Sequence, residues 1–142
     1  LEMRGADAGN SSLHVSALAA LWAGILYDTE VLDEAWARIV TWTPEERRAL
    51  GIGVAKQGFS TPFRNVLVRD LCLWMLDLSS QGLKRRNIKN AQGLDESFYL
   101  DILQEVVEKG ITFAAQLLYR FKHEWQQDME IAIRAMSKES SL

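Results

Sequence analysis

The opening residues 1–7 carry the side chains best suited to chemistry. Their order alternates, so on a strand Leu1 and Met3 would face one side and Glu2 and Arg4 the other. A glutamate binds hard cations through its carboxylate oxygens, and an arginine holds anionic oxygens in a bidentate fork. Two interpretations follow: a site that handles metal and phosphate, or an exposed edge strand with a weak surface ion pair.

Elsewhere the residue types do not make a self-sufficient active site. His14 and His123 are far apart and no cysteine pair accompanies them, which argues against zinc. The single cysteine, Cys72, lies among apolar residues of a predicted helix, where a thiol stays protonated. Two glycines have the spacing of a phosphate-binding loop, but Phe59 occupies the position where that motif requires lysine.

A short basic cluster also has two interpretations; its residues are Lys84, Arg85 and Arg86. Cations at a helix end complement the negative end of its dipole, and the same cluster could bind phosphate. The acidic background of the chain favours the first.

The composition limits the class of protein. With 142 residues, 48% of them hydrophobic, the chain is most simply one domain. A net charge of -3 argues against nucleic acid or an anionic membrane as partner. No apolar run reaches the roughly 18 to 20 residues that a membrane span needs. One cysteine fits a reducing compartment. Because the chain opens inside a predicted strand without an initiator methionine, we expect it to be part of something longer.

The elements that must position residues 1–7 are predicted to be five or six helices. Hydrophobic periodicity places them at residues 11–27, from 28 to about 39, 43–50, 65–86, 95–109 and 112–136. The expected caps are Ser11 or Ser12 for the first helix, Asp28 or Thr29 for the second, Thr43 for the third and Thr112 for the last. The last helix either breaks near His123 or continues. A loop is expected at residues 54–64, more simply as a connection than as the cover of a site, and a frayed tail at 137–142.

Two helices have apolar stripes that predict their buried faces. The inward residues are expected to be Leu32, Ala35, Trp36 and Ile39 in the second helix, and Phe113, Leu117, Leu118 and Phe121 in the last.

Several stretches resemble the C-terminal part of the plant and proteobacterial type of glutamate–cysteine ligase. They are residues 1–7, 17–28, 42–46, 61–64, 68–70, 82–86, 110–112 and 115–118. No single motif is decisive, but their order and spacing are similar to that family over nearly the whole chain, to about Trp125. An ordered series of this kind is a specific signal.

The resemblance implies a glutamine-synthetase-like ligase, in which an antiparallel sheet forms the floor of the active site and helices surround it. Such an enzyme uses ATP and Mg²⁺ to phosphorylate the γ-carboxylate of L-glutamate. The amine of L-cysteine then displaces phosphate to give γ-glutamylcysteine, the first intermediate of glutathione synthesis. By the same resemblance Glu2 holds the catalytic metal and Arg4 contacts the transferring phosphoryl group.

The resulting expectation is a mostly α chain whose N-terminal strand belongs to such a sheet. Residues 1–142 form the C-terminal segment of the catalytic domain, with the active-site strand at 1–7 and the helical region at 11–136. Because the remaining contacts of the family lie upstream, the segment needs the rest of the ligase chain and is expected to be inactive alone. The cytoplasm is the expected location, or the plastid stroma for a plant-like source. The alternative is a free-standing α-helical interaction module without catalysis.

Overall fold

The computed structural model describes residues 11–139, which are mostly helical, as expected. Seven α-helices are present in this part of the chain: α1 (Ser12–Leu26), α2 (Thr29–Ile39), α3 (Pro44–Gln57), α4 (Val68–Arg86), α5 (Asp101–Lys109), α6 (Phe113–His123) and α7 (Met129–Glu139). The same part of the chain contains two 3₁₀ turns, Gly58–Ser60 and Glu96–Leu100, and two short strands, β1 (Pro62–Phe63) and β2 (Val66–Leu67). Within these residues no single helix is long and apolar enough to cross a membrane. Helices α1 and α2 together reach the required length and composition, but they are bent by 89° from each other.

Four helices begin where capping chemistry predicts. The side chains of Ser11, Asp28, Thr43 and Thr112 each accept a hydrogen bond from the backbone N–H three residues later, at the starts of α1, α2, α3 and α6. At α3 the carboxylate of Glu46 also accepts from the N–H of Thr43, which completes a capping box. The caps at Thr43 and Thr112 are confirmed, and the structure selects Ser11 over Ser12 and Asp28 over Thr29. Caps are predictable to this extent because each depends only on neighbours in sequence.

Helix α3 is longer than predicted. It was expected to stop at the Gly51–Gly53 pair, yet it continues to Gln57. Each glycine costs a helix interior roughly 1 kcal/mol, and that cost is not enough to end it. The helix instead ends at Gly58, whose φ of 55° is a left-handed value that suits glycine.

The expected loop at residues 54–64 was therefore wrong in its first half. Its remainder is a 3₁₀ turn leading into a small antiparallel hairpin, in which Pro62 pairs with Leu67 and Phe63 with Val66. Arg64 in the hairpin turn has a φ of 54°, which is rare for a residue with a side chain.

Helix α4 is the centre of the fold, as its apolar character predicts. Its residues Leu76, Leu78 and Leu83 are at most 4% exposed. Leu76 and Leu83 pack with Ala20 of α1 and with residues of the second 3₁₀ turn and α5, whereas Leu78 packs with buried residues of α1 and α2. The core is therefore built around α4, which contacts α1, α2, α5 and both 3₁₀ turns.

The buried face predicted for α2 was partly wrong. Leu32 and Trp36 are 39% and 62% exposed, whereas Val31 and Ala35 are 1% and 7% exposed. Both pairs are four residues apart, so each forms a stripe along the helix. The stripe with Val31 and Ala35 packs against α1 and α4, so the stripe with Leu32 and Trp36 faces away from the core.

The C-terminal helix breaks at His123, which settles the alternative left open by the sequence. Gln126 and Gln127 adopt left-handed backbone conformations before α7 begins. Leu118, expected to face inward, is 52% exposed. The tail was expected to fray from Ser137, but α7 extends to Glu139.

Candidate functional site

The predicted pair, Glu2 and Arg4, lies outside the described residues. The segment that carries it joins α1 at Ser11, so the described structure bears on how that junction is held. The roles of the two side chains stay predictions.

The junction at the start of α1 is packed against α6. The Ser11 hydroxyl accepts a hydrogen bond from the N–H of His14, and its oxygen lies 2.7 Å from the Nδ1 of the same residue. The imidazole meets the ring of Phe113 edge-on, with centroids 4.1 Å apart. Partial burial lowers the pKa of His14 below its ordinary value, which favours a neutral ring near pH 7. His14 therefore acts as a packing and capping group.

An apolar groove lies between α1, α4 and α5, and Phe113 of α6 and Phe59 of the first 3₁₀ turn also line it. We define it by Leu18 and Leu21 of α1, Cys72 and Met75 of α4, and Val106 of α5, and its volume is about 300 Å³. Burial raises the pKa of the Cys72 thiol, so this side chain behaves as a small apolar group. The groove was not foreseen from the sequence because α1, α4, α5, α6 and the first 3₁₀ turn all contribute to it.

Helices α1 and α4 touch backbone to backbone. A Cβ placed on Gly82 would lie 2.0 Å from the carbonyl oxygen of Gly24, and one placed on Gly24 would lie 2.3 Å from the carbonyl oxygen of Ser79. The Ser79 hydroxyl, fully buried, donates to the carbonyl of Leu21 (3.0 Å). This crossing fixes the position of α1, and hence of the residue from which the segment at 1–10 departs.

A second contact ties α4 to the start of α2, just after α1 ends. Both carboxylate oxygens of Asp28 accept hydrogen bonds from Arg85 at 2.7 Å, and one of them also accepts from the N–H of Val31. The hydrogen bonds from Arg85 and Val31 lower the pKa of Asp28 to about 2. Asp28 thus caps α2 and joins it to α4 with a bidentate ion pair.

The basic cluster at the end of α4 is divided among different neighbours. Arg85 pairs with Asp28, and Arg86 lies 3.5 Å from the carboxylate of Glu96. Lys84 borders a separate cleft. The three cations do not converge, and their arrangement fits the helix-end interpretation better than a phosphate patch.

Arg64 lies in one of the stretches that resemble the family, and its guanidinium also makes hydrogen bonds to neighbouring residues. Its Nε and Nη2 donate to the two carboxylate oxygens of Glu46 at 2.8 Å, and its Nη2 and Nη1 donate to the backbone and hydroxyl oxygens of Thr41. The hydrogen bond from Arg64, followed by that from Thr43, lowers the pKa of Glu46 to about 2. Arg64 therefore holds the hairpin against the start of α3.

A cleft between α4 and α5 has the wrong charge for phosphate. Its volume is about 740 Å³, and its charged lining residues are Asp77, Lys84, Asp101, Glu105 and Glu108. Four carboxylates against one ammonium would repel a polyphosphate. No group of three or more histidine, cysteine, aspartate or glutamate side chains within residues 11–139 is placed to hold a metal ion.

Comparison with known proteins identifies the family. A model of glutamate-cysteine ligase family 2 matches residues 1–139. The chain is 39% identical over 130 residues to the chloroplastic glutamate–cysteine ligase of Medicago truncatula and 38% to that of Arabidopsis thaliana. It is 40% identical to the chloroplastic glutamate–cysteine ligase A of Oryza sativa subsp. indica.

Each alignment covers 92% of this chain but only 24% or 25% of the relative, so the chain spans about a quarter of the length of the curated relatives it matches. The family resemblance inferred from the ordered motifs is confirmed. Because the match extends from the charged opening segment to the last described helix, the chain belongs to glutamate-cysteine ligase family 2.

Proposed function

We propose that this chain is the C-terminal part of the catalytic domain of an ATP- and Mg²⁺-dependent glutamate–cysteine ligase. The observation that carries the proposal is the family match over residues 1–139, which includes both Glu2 and Arg4. In this assignment residues 1–7 form an active-site strand, and the helical region at 11–136 holds it in place. The whole ligase converts L-glutamate, L-cysteine and ATP to γ-glutamylcysteine through a γ-glutamyl phosphate.

The proposed roles of the two charged residues follow from the needs of phosphoryl transfer. Such reactions are catalysed mainly by positioning the reactants and by neutralising charge on the phosphoryl oxygens. Arg4 offers a planar guanidinium that can hold two of these oxygens at once. Glu2 offers carboxylate oxygens, which are the ligands that Mg²⁺ prefers. Bound Mg²⁺ would supply additional positive charge beside the phosphates.

The arrangement of the described helices supports giving the phosphate contact to Arg4. Arg64 and Arg85, which lie in stretches similar to the family, are both paired with carboxylates. The charged groups that line the cleft between α4 and α5 are four carboxylates and one ammonium. The helices are therefore better suited to a supporting role than to contact with ATP.

The segment is proposed to need the rest of the ligase for activity. About three quarters of the Medicago truncatula relative lies outside the match. Within residues 11–139 no cluster of three or more histidine, cysteine, aspartate or glutamate side chains could hold a metal ion. The relatives named above are chloroplastic. The plastid stroma, or the cytoplasm for another source, is the proposed compartment of the complete enzyme.

A graft tests the proposal directly. This chain replaces the matching quarter of the Medicago truncatula ligase, and γ-glutamylcysteine formation is measured with ATP, Mg²⁺, glutamate and cysteine. We expect the graft to be active and its Arg4→Ala variant to lose kcat by about 10²- to 10³-fold, as when one transition-state contact is removed. The matched control is Arg48→Ala, because Arg48 is exposed on α3.

Three results would contradict the proposal. A near-normal turnover of the Arg4→Ala graft would remove the role of that residue. A folded but inactive parent graft would favour the alternative of a helical interaction module. Product formation by the isolated 142-residue chain would show that it does not need the remainder of a ligase.

A further inference from the structure

The joint between α6 and α7, which we define as residues 124–128, holds two adjacent residues in a left-handed backbone conformation. Gln126 has a φ of 53° and Gln127 a φ of 60°. For a residue that carries a Cβ this conformation is disfavoured about tenfold in population, so two in succession are disfavoured about a hundredfold. Such a conformation persists only where the surrounding structure holds it.

Trp125 and Asp128 hold the bend in place. Trp125 is 6% exposed, and the guanidinium carbon of Arg120 lies 4.5 Å from the centre of its ring. Residues five apart point about 140° away from each other around a helix, so this cation–π contact belongs to the bent form alone. One carboxylate oxygen of Asp128 accepts hydrogen bonds from the N–H groups of Glu130 (2.7 Å) and Ile131 (3.2 Å), which caps α7.

The backbone hydrogen bonds of the joint have equivalents in a continuous helix. In the bend the N–H of Trp125 donates to the carbonyl of Arg120, and the N–H of Gln127 donates to the carbonyl of Phe121, both at 2.9 Å. In a helix the same two N–H groups would donate to the carbonyls four residues earlier, at Phe121 and His123. Straightening therefore leaves neither N–H without a partner.

The sequence itself favours the continuous helix. Residues 113–139 contain neither glycine nor proline, the two residues that most disfavour a helix interior. Phe121, Trp125 and Met129 follow one another at intervals of four, so they would share one face of a straight helix. In the bent form Met129 and Ile131 are 61% and 41% exposed. The bend thus leaves apolar side chains of α7 in solvent.

We propose that residues 124–128 are a two-state joint. The bend is the form that burial of Trp125 selects, and one continuous helix over residues 113–139 is the form that the chain adopts when that contact is lost. The straight form relieves the left-handed conformation of Gln126 and Gln127 and gives a rod about 40 Å long. Helix α7 is in this way a movable arm whose position is set by one tryptophan side chain. This switch is independent of the ligase assignment.

The distance between two spin labels on the 142-residue chain distinguishes the two forms. Cys72 is replaced by alanine, and labels are attached through Ala114→Cys on α6 and Arg134→Cys on α7, both at exposed positions. Twenty residues of straight helix separate these positions by about 30 Å. The bend brings them closer, because it places the N–H of Gln127 2.9 Å from the carbonyl oxygen of Phe121. Residues six apart lie about 9 Å from each other along a straight helix.

The distances are measured by pulsed electron paramagnetic resonance in the labelled parent and in Trp125→Ala. The matched control is Tyr119→Ala, which removes an aromatic ring of α6 that is 61% exposed. We expect a distance below about 30 Å in the parent and the control, and a narrow distribution near that value in Trp125→Ala. Adding Gln126→Gly and Gln127→Gly to Trp125→Ala should reduce the straight fraction about tenfold or more, because glycine adopts the left-handed conformation freely.

Four outcomes would overturn the two-state joint. A straight-helix distance in the parent would mean that the bend is not its resting form. An unchanged distance in Trp125→Ala would show that this side chain does not select the bend. A broad distribution with loss of circular dichroism at 222 nm would show that α7 unfolds instead of joining α6. A straight form that persists with glycine at both positions would show that strain at Gln126 and Gln127 does not drive the change.

Discussion

The crossing of α1 and α4 makes Gly82→Ala the sharpest test of the fold. A Cβ on Gly82 would meet the carbonyl oxygen of Gly24 at 2.0 Å, well inside the contact distance of any two such atoms. The obstacle is backbone, which cannot rotate aside as a flexible side chain can. The two helices must therefore separate, and the core residues on either side must separate with them.

The expected cost is about 3 kcal/mol in the free energy of unfolding, the upper part of the range for overpacking a tight core. A chain of 142 residues has an unfolding entropy of about 0.3 kcal/mol per kelvin. Gly82→Ala should therefore lower the melting temperature by about 10 °C.

The assay is thermal unfolding followed by circular dichroism at 222 nm. Gly51→Ala is the matched control, because Gly51 is also a helical glycine but a Cβ there would meet nothing within 4 Å. Alanine at that position should raise stability by about 0.5 to 1 kcal/mol. If Gly82→Ala melted no lower than the control, the close approach of α1 and α4 would be refuted.

Two further predictions concern the ends of helices. The pKa of Asp28 is depressed from 3.8 to about 2, so its contribution to stability is complete above about pH 4 and is lost as the pH falls toward 2. Asp28→Asn should accordingly melt lower than the parent at pH 7 and show a smaller drop in melting temperature between pH 4 and pH 2; an equal drop would show that Asp28 is not responsible. Thr43→Ala should lower the free energy of unfolding by about 1 kcal/mol because it removes a helix cap, and calorimetry should show a melting temperature about 3 °C lower. Thr29→Ala should be nearly neutral because Thr29 is an exposed first helical residue without a capping bond. Equal losses from the two alanines would contradict the capping role of Thr43.

The helical framework also bears on how the predicted site can work. Asp28, two residues beyond the end of α1, pairs with Arg85 of α4, and the contact at Gly24 holds the last turn of α1 against α4. Residues 1–10 depart from the opposite end of the same helix. A ligase that needs Glu2 and Arg4 in fixed positions would gain from a rigid α1, because preorganised groups lose little freedom during the reaction.

Local sequence was sufficient for the features that depend on near neighbours. The caps at Ser11, Asp28, Thr43 and Thr112 were predictable because a side-chain oxygen meets an N–H only three residues away. The family followed from the order of short motifs along the chain, which needs no coordinates. The same reasoning pointed to Glu2 and Arg4, whose roles stay predictions.

Tertiary structure alone decided the features in which distant residues compete or meet. The sequence of α2 allows either Val31 or Trp36 to face the core, and packing against α1 and α4 selects Val31. Arg64 is bound by Glu46, 18 residues earlier, and Gly82 is required by Gly24 across another helix. Periodicity and propensity describe each helix separately, whereas close packing is a property of the helices together. For that reason the groove, the crossing and the ion pairs could be read only from the assembled fold.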